Sequence, residues 1–312
     1  MLARRRLGRT ELLVTKVGLG GAPIGRETTP EDDAYATVWA ALEGGINLID
    51  TAPHYGLGLS EARIGAALRE RPDLARGCIL STKTGHYREE RDYRYDRTLR
   101  SVTESMEHLG VDHLPIVHIH DVPGRDALAE ILRTKAARSA LRRLQEEGVV
   151  DAVGVGTSDL GVLDLAVESG EFDVLMVANR YNLLHRDGQA VIERALREDI
   201  GVLIAGVFAT GVLAKGSADP AACYRYRPLE PQTRERAAEL EALCARWGCS
   251  LPAAAVQFCL RGPVAGAAIV VGARTEEQIV QGLAAAKEPI PSGFWEALDE
   301  WLRTHPSVGE FQ

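Results

Sequence analysis

The chain lacks what would tie it to a membrane, a disulfide scaffold or a nucleic acid. Its 312 residues contain no apolar run of about 18 residues, the length that reads as a transmembrane helix. The N-terminus has no apolar signal-peptide core. Cysteine is scarce and odd in number (Cys78, Cys223, Cys244, Cys249 and Cys259), and no Cys-x-x-Cys spacing occurs. A disulfide framework or a zinc site is therefore not expected in a chain of this size, and a reducing cytoplasm fits. Positive charge is in deficit: 36 Lys and Arg stand against 44 Asp and Glu, a net charge of −8. That balance argues against a nucleic-acid or anionic-membrane surface. The short cluster Arg4-Arg5-Arg6 reads as a solvated terminus. No linker rich in Pro, Ser or Gly divides the sequence, which predicts one domain over residues 1–312.

What is present is alternation. Short apolar runs, rich in Val, Ile, Leu and Ala, fall at 16–20, 47–51, 79–83, 115–120, 152–156, 174–178, 202–206 and 268–272. Their near-continuous hydrophobicity suits parallel strands buried on both faces. Amphipathic stretches at 30–44, 61–70, 97–109, 139–147, 160–168, 188–198, 231–247 and 275–285 predict helices between them. Thr29-Pro30-Glu31 and Thr275-Glu276-Glu277 carry helix-start signals. Eight strands each followed by a helix predict an α/β TIM (β/α)8 barrel. The segment 5–14, with Gly8-Arg9-Thr10 at its middle, is expected to form an N-terminal β-hairpin closing the barrel bottom. A doubly wound sheet is the rival, but residues 18–25 read Gly-Leu-Gly-Gly-Ala-Pro-Ile-Gly, and Pro23 sits badly in a dinucleotide fingerprint. The polar stretch 86–96 is either a solvated loop or a loop that touches substrate.

In such a barrel the strands' C-terminal ends face the active site. Asp50, Lys83 and His120 each lie at a strand end, and Tyr55 lies on the loop after Asp50. An ionised aspartate there needs a partner, and Lys83 is available. A free tyrosine titrates at about 10 and is a poor base at neutral pH. A nearby ammonium stabilises its phenolate, so Tyr55 can exchange a proton with a carbonyl or alcohol oxygen. Asp50 keeps Lys83 protonated and fixed, and His120 can orient and polarise the same oxygen. Each residue alone is more often structural, as a cap, an ion-pair partner or a core histidine; all four at corresponding strand ends point to a proton-transfer site. The set supplies no hydride, so a cofactor must. His118 and His120 share a strand face, but too few further ligands exist for a metal site.

These residues carry a family resemblance. Asp50-x4-Tyr55-Gly56 with Ser60-Glu61, Ser81-Thr82-Lys83, and Ile116-Val117-His118-Ile119-His120 resemble the aldo-keto reductase superfamily. The resemblance implies Tyr55 as general acid/base, Lys83 and Asp50 as its tuning pair, and His120 as the substrate-orienting group. It also implies NADP or NAD as cofactor. Gly154-Val155-Gly156-Thr157-Ser158-Asp159 is similar to a family segment that holds the nicotinamide carboxamide, with Asp159 where asparagine is common. Asn179-Arg180-Tyr181-Asn182-Leu183-Leu184 matches another, with Asn179 in place of glutamine, and residues 271–278 resemble the adenine-side segment. There the helix-start amides suit phosphate, Arg274 suits adenine or a 2′-phosphate, and Gln278 suits the adenine edge. The implied cofactor contacts are Gly20, Gly21, Asp50, Ser158, Asp159, Asn179, Phe208, Gly211, Leu213, Gly272, Arg274 and Gln278.

The end of the seventh strand departs from the family, with Ala205 or Gly206 where a stacking aromatic is common and Phe208 nearby. The texture of residues 205–214, Glu147-Gly148-Val149-Val150 and Cys223-Tyr224-Arg225-Tyr226 resembles a branch of sugar and pyridoxal dehydrogenases. D-threo-aldose 1-dehydrogenase, L-fucose dehydrogenase and pyridoxal 4-dehydrogenase belong to that branch. The expectation is an oxidoreductase acting on a small sugar or aldehyde, oxidising a fucose-like aldose at C1 to a lactone. The alternatives are an NADPH-dependent aldehyde reductase, a pyridoxal dehydrogenase and a nucleotide-binding sensor without turnover. Tyr87, Arg88 and Arg91 in the polar loop suit a hydroxylated substrate. A monomer or weak homo-oligomer is expected.

Overall fold

The computed structural model describes residues 2–88, 90–219, 223–224 and 227–308. Arg225 and Tyr226, part of one of the branch-like segments, lie outside the described residues. Eight strands form the wall of a barrel: β1 Val17–Gly20, β2 Leu48–Asp50, β3 Ile79–Thr84, β4 Leu114–His120, β5 Val150–Thr157, β6 Val174–Ala178, β7 Gly201–Ala205 and β8 Ala268–Gly272. Each pairs with its successor, and β8 pairs in parallel with β1 to close the ring. The longer helices are α1 Glu31–Glu43, α2 Leu59–Glu70, α3 Tyr95–Leu109, α4 Arg125–Arg133, α5 Ala137–Glu146, α6 Leu160–Ser169, α7 Gln189–Arg197, α8 Pro231–Trp247, α9 Leu251–Phe258, α10 Glu276–Ala285 and α11 Ser292–Thr304. This is the expected TIM barrel. Among the described residues no helix is long and apolar enough to cross a membrane.

Two apolar regions hold it together. One lies between the strands and the helices and includes Val38, Ile64, Val102, Leu141, Leu163 and Ile192. The other fills the lower barrel with Leu48, Ile116, Val174 and Leu203, joined by Leu7 and Val14 from the N-terminal hairpin. That hairpin pairs Arg4–Arg6 with Leu13–Thr15. Burying Leu7 and Val14 stabilises it by about 1.5–3 kcal/mol each. It is also stitched to the strands' N-terminal ends. Asn47, just before β2, accepts from the Thr15 amide at 2.6 Å and donates to the Leu13 carbonyl at 2.8 Å. Gly8 turns the hairpin at φ +55, and a Cβ there would lie 2.1 Å from the Gly201 nitrogen. Only glycine fits that approach.

Three of these longer helices were not expected. In α4 only Leu128 and Ile131 are buried, a narrow stripe in a polar sequence. In α9 apolar residues run almost all round, so no helical periodicity stands out. The third, α11, buries Phe294 and Leu298. The stretch 86–96 is neither a plain loop nor wholly solvated: His86–Tyr87 pairs with Glu90–Arg91, and α3 begins at Tyr95.

Candidate active site

Polar side chains gather at the C-terminal mouth of the barrel. Asp50 ends β2, Lys83 lies one residue from the end of β3, and His120 ends β4. All three are buried. Lys83 Nζ donates to Asp50 Oδ2 at 2.6 Å and to the Thr51 carbonyl at 2.7 Å. Asp50 Oδ1 accepts from the Ser81 hydroxyl at 2.8 Å. Burial holds the Asp50 carboxyl above its ordinary value, with Lys83 and Ser81 opposing the rise. Both carboxylate oxygens accept hydrogen bonds, the pattern of an ionised group. The ammonium of Lys83 lies 5.0 Å from the centre of the Tyr55 ring.

The Tyr55 loop is positioned by close backbone contacts. The Tyr55 amide donates to the Ala52 carbonyl, and the Ser60 amide donates to the Tyr55 carbonyl. Gly56 takes φ +66, and a Cβ there would lie 2.0 Å from the Gly25 oxygen. Ser60 bridges Thr51 at 2.9 Å and the Gly21 carbonyl at 2.8 Å, locking the start of α2 to β1 and β2. Its neighbour Glu61 is buried and accepts from Thr82 at 2.6 Å.

The Tyr55 and His120 rings meet edge-on with centroids 6.0 Å apart. Burial holds His120 well below the ordinary histidine value, against the pull of Asp121. It is therefore neutral at physiological pH. Beneath it in β4, His118 is fully buried, and among the described residues neither ring nitrogen has a hydrogen-bond partner. Burial and the Lys83 charge push His118 down to about 3. Its space comes from Gly154 on β5, where a Cβ would lie 2.3 Å from the His118 Nδ1.

A cleft of about 630 Å³ opens over these groups and runs across the barrel mouth. Asp50, Tyr55, Lys83 and His120 lie in its wall, and Arg274 and Gln278 line it beyond the end of β8. Of the other expected cofactor contacts, Gly20, Asn179, Phe208, Gly211 and Gly272 also line it. Gly21, Ser158, Asp159 and Leu213 do not. Gly21 is buried under Ser60 and Asp50. The Ser158 carbonyl accepts from Arg180 at 2.5 Å. The Asp159 carboxylate caps α6 by accepting from the Val162 amide at 3.0 Å. Leu213 sits in the outer core. Gln278 accepts from the Arg274 amide at 3.1 Å, which orders the first turn of α10.

Sequence reasoning missed three residues beside His120. His86 donates from Nδ1 to Asp121 Oδ2 at 3.1 Å, and its ring stacks on His54 at 4.0 Å. Asp121 Oδ2 lies 3.6 Å from His120 Nε2. Tyr87, Arg88 and Arg91 do not line the cleft; Arg91 instead donates to the Asp121 carbonyl at 3.1 Å. The one sequence signal for Asp121 was its place directly after a strand-end histidine.

A parallel barrel with a lysine–aspartate pair, a tyrosine and a neutral histidine at its C-terminal mouth defines a class: barrel oxidoreductases that move a proton as a hydride is transferred. The profile of the aldo/keto reductase family matches residues 16–303, and the chain belongs to this family of NAD(P)-dependent oxidoreductases. It is 33% identical to a D-threo-aldose 1-dehydrogenase from a Pseudomonas species, over 93% of this chain and 94% of that one. It is 31% identical to pyridoxal 4-dehydrogenase of Microbacterium luteolum, over 95% and 96%. Among solved structures, the holo form of an aldo-keto reductase from Bacillus halodurans matches with a TM-score of 0.80 at 20% identity, covering 100% and 99% of the two chains. That last likeness speaks for the fold.

Proposed function

We propose that this protein oxidises the C1 hydroxyl of a fucose-like aldose to the lactone, with NAD⁺ or NADP⁺ as hydride acceptor. The observation that carries the reading is the single cleft joining the Tyr55, Lys83 and His120 cluster to Arg274 and Gln278. The likeness to an aldose 1-dehydrogenase supports the sugar. The residues fit a dinucleotide: Gly20, Gly211 and Gly272 leave the cleft wall without side chains, and Arg274 brings a cation for phosphate. Asn179, Phe208 and Gln278 are further contacts, with the nicotinamide end beside Asp50 and the adenine end at Arg274. When bound, the nicotinamide accepts or gives the hydride.

The chain's own part is proton transfer. Tyr55 takes the hydroxyl proton of the sugar, and the Lys83 ammonium favours the resulting phenolate. Asp50 fixes that ammonium. Neutral His120 holds the substrate oxygen in place. Reduction of an aldehyde runs the same groups in reverse, with Tyr55 giving the proton. The Arg274 cation in the cleft favours a second reading, an NADP(H)-linked aldehyde reductase. We take the chain to act as one barrel domain, monomeric or weakly associated, in the cytoplasm.

The test follows absorbance of reduced nicotinamide with L-fucose, D-arabinose, L-galactose and pyridoxal, using each nucleotide. Growth with one aldose supports the proposal. Silence on the sugars with NADPH consumed on simple aldehydes selects the reductase. Silence in both directions with nucleotide bound selects a sensor.

A further inference from the structure

Asp121 stands in an unusual backbone conformation, φ +48, which non-glycine residues adopt at some cost. Three contacts hold it there. Its amide donates to the Gly156 carbonyl at 2.9 Å, and its carbonyl accepts from Tyr93 at 2.9 Å and from Arg91 at 3.1 Å. The same Tyr93 hydroxyl also donates to the His120 carbonyl at 2.9 Å. Asp121 and the substrate-orienting histidine thus share one anchor, and the carboxylate is turned into the cleft beside it.

The carboxylate is poised to accept. Burial alone would raise it, but the hydrogen bond from His86 and the nearby Arg91 guanidinium hold it below the ordinary aspartate value. It is therefore ionised, and His86 Nδ1 carries the proton between them. The stack on His54 fixes the His86 ring. Among the described residues Asp121 Oδ1 has no hydrogen-bond partner. The side chain is 37% exposed, against 4% for Asp50, whose oxygens are committed to Lys83 and Ser81. The acceptor available next to the reacting centre is thus Asp121.

We infer that Asp121, oriented by His86, accepts a hydrogen bond from the substrate hydroxyl on the carbon next to the reacting one, and so selects 2-hydroxy carbonyl compounds and their hemiacetals. The inference deepens the hydride-transfer reading above and rests on it. A carboxylate in a partly dry cleft loses hydration when a substrate covers it. A hydroxylated substrate replaces that hydration; an apolar one leaves the charge unpaired. A hydrogen bond to a charged group separates such a pair of substrates by about tenfold to a hundredfold.

The experiment compares kcat/KM for 2-hydroxypropanal and propanal, which differ in that one hydroxyl, in the reducing direction. Wild type is expected to favour 2-hydroxypropanal by about tenfold or more. Asp121→Gly, which suits the positive φ, is expected to bring the ratio near one. Asp121→Asn, which also tolerates that conformation, should give an intermediate ratio. A ratio unchanged in Asp121→Gly, with both substrates slowed alike, means that the residue merely positions His120, and overturns the inference. So does a wild type without preference, or one that turns over neither aldehyde. A preference that persists in wild type and vanishes in Asp121→Gly, with no aldose oxidised, overturns the aldose reading alone.

Discussion

Lys83 and His118 are register partners on adjacent strands, and both side chains are buried inside the barrel. The Lys83 charge thus acts on an imidazole that has no hydrogen-bond partner among the described residues. Folding must keep that imidazole neutral. Unfolded histidine binds a proton at about 6.5; folded His118 does so only at about 3. Between those values the unfolded chain holds more protons, so stability falls as the pH drops through the window. The contribution is complete above about 6.5, and its slope is at most about 1.4 kcal/mol per pH unit. His120, also held low by burial, acts in the same direction. His118→Leu is expected to flatten the profile of urea midpoint against pH. An equally steep profile in the variant would refute the assignment.

Tyr55→Phe removes the proton carrier and keeps the ring. Turnover is expected to fall by at least about a hundredfold, the lower range for general acid/base catalysis. Nucleotide affinity should change little, as read by fluorescence titration. Retained turnover would remove Tyr55 from the mechanism.

Lys83→Met leaves Asp50 buried without its main partner. Breaking such a pair costs roughly 3–5 kcal/mol, and a second change, Asp50→Asn, is expected to recover part of it. Any remaining alcohol oxidation should need higher pH, because the phenolate loses its neighbouring cation. Denaturation curves of the single and double variants and a pH–rate profile check both points. Additive losses in the double variant would mean that the pair is not coupled.

Gly56→Ala tests the Tyr55 loop. The methyl would press on the Gly25 oxygen from a backbone at φ +66. A loss of stability above about 1 kcal/mol is expected, with a fall in kcat larger than the change in nucleotide affinity. Unaltered kcat would show that the loop tolerates displacement.

Asp50, Lys83 and His120 were legible in the sequence because the strands carrying them are short, apolar and sharply ended, so a polar residue at the end marks the barrel mouth. Inward alternation along β4 also placed His118 with His120. Asp121 was not legible: its direction depends on a positive φ set by Gly156, Tyr93 and Arg91, which lie far from it in sequence or across a turn. Asp159 shows the converse. Sequence placed it beside a cofactor segment, while the structure shows its carboxylate capping α6, a local role that any Asp before a helix can take. The helix α9 escaped notice because it is too apolar to show a face, and α4 because its apolar stripe is only a few residues long.

The hairpin at the barrel bottom gives the molecule a foundation separate from its workshop. Leu7, Val14 and the Asn47 stitches seal the end of the strands opposite to Asp50 and His120. Alterations of the loops over the mouth can redraw which substrate is accepted without loosening that seal. Damage to the seal should act alike on every substrate, by lowering the amount of folded enzyme.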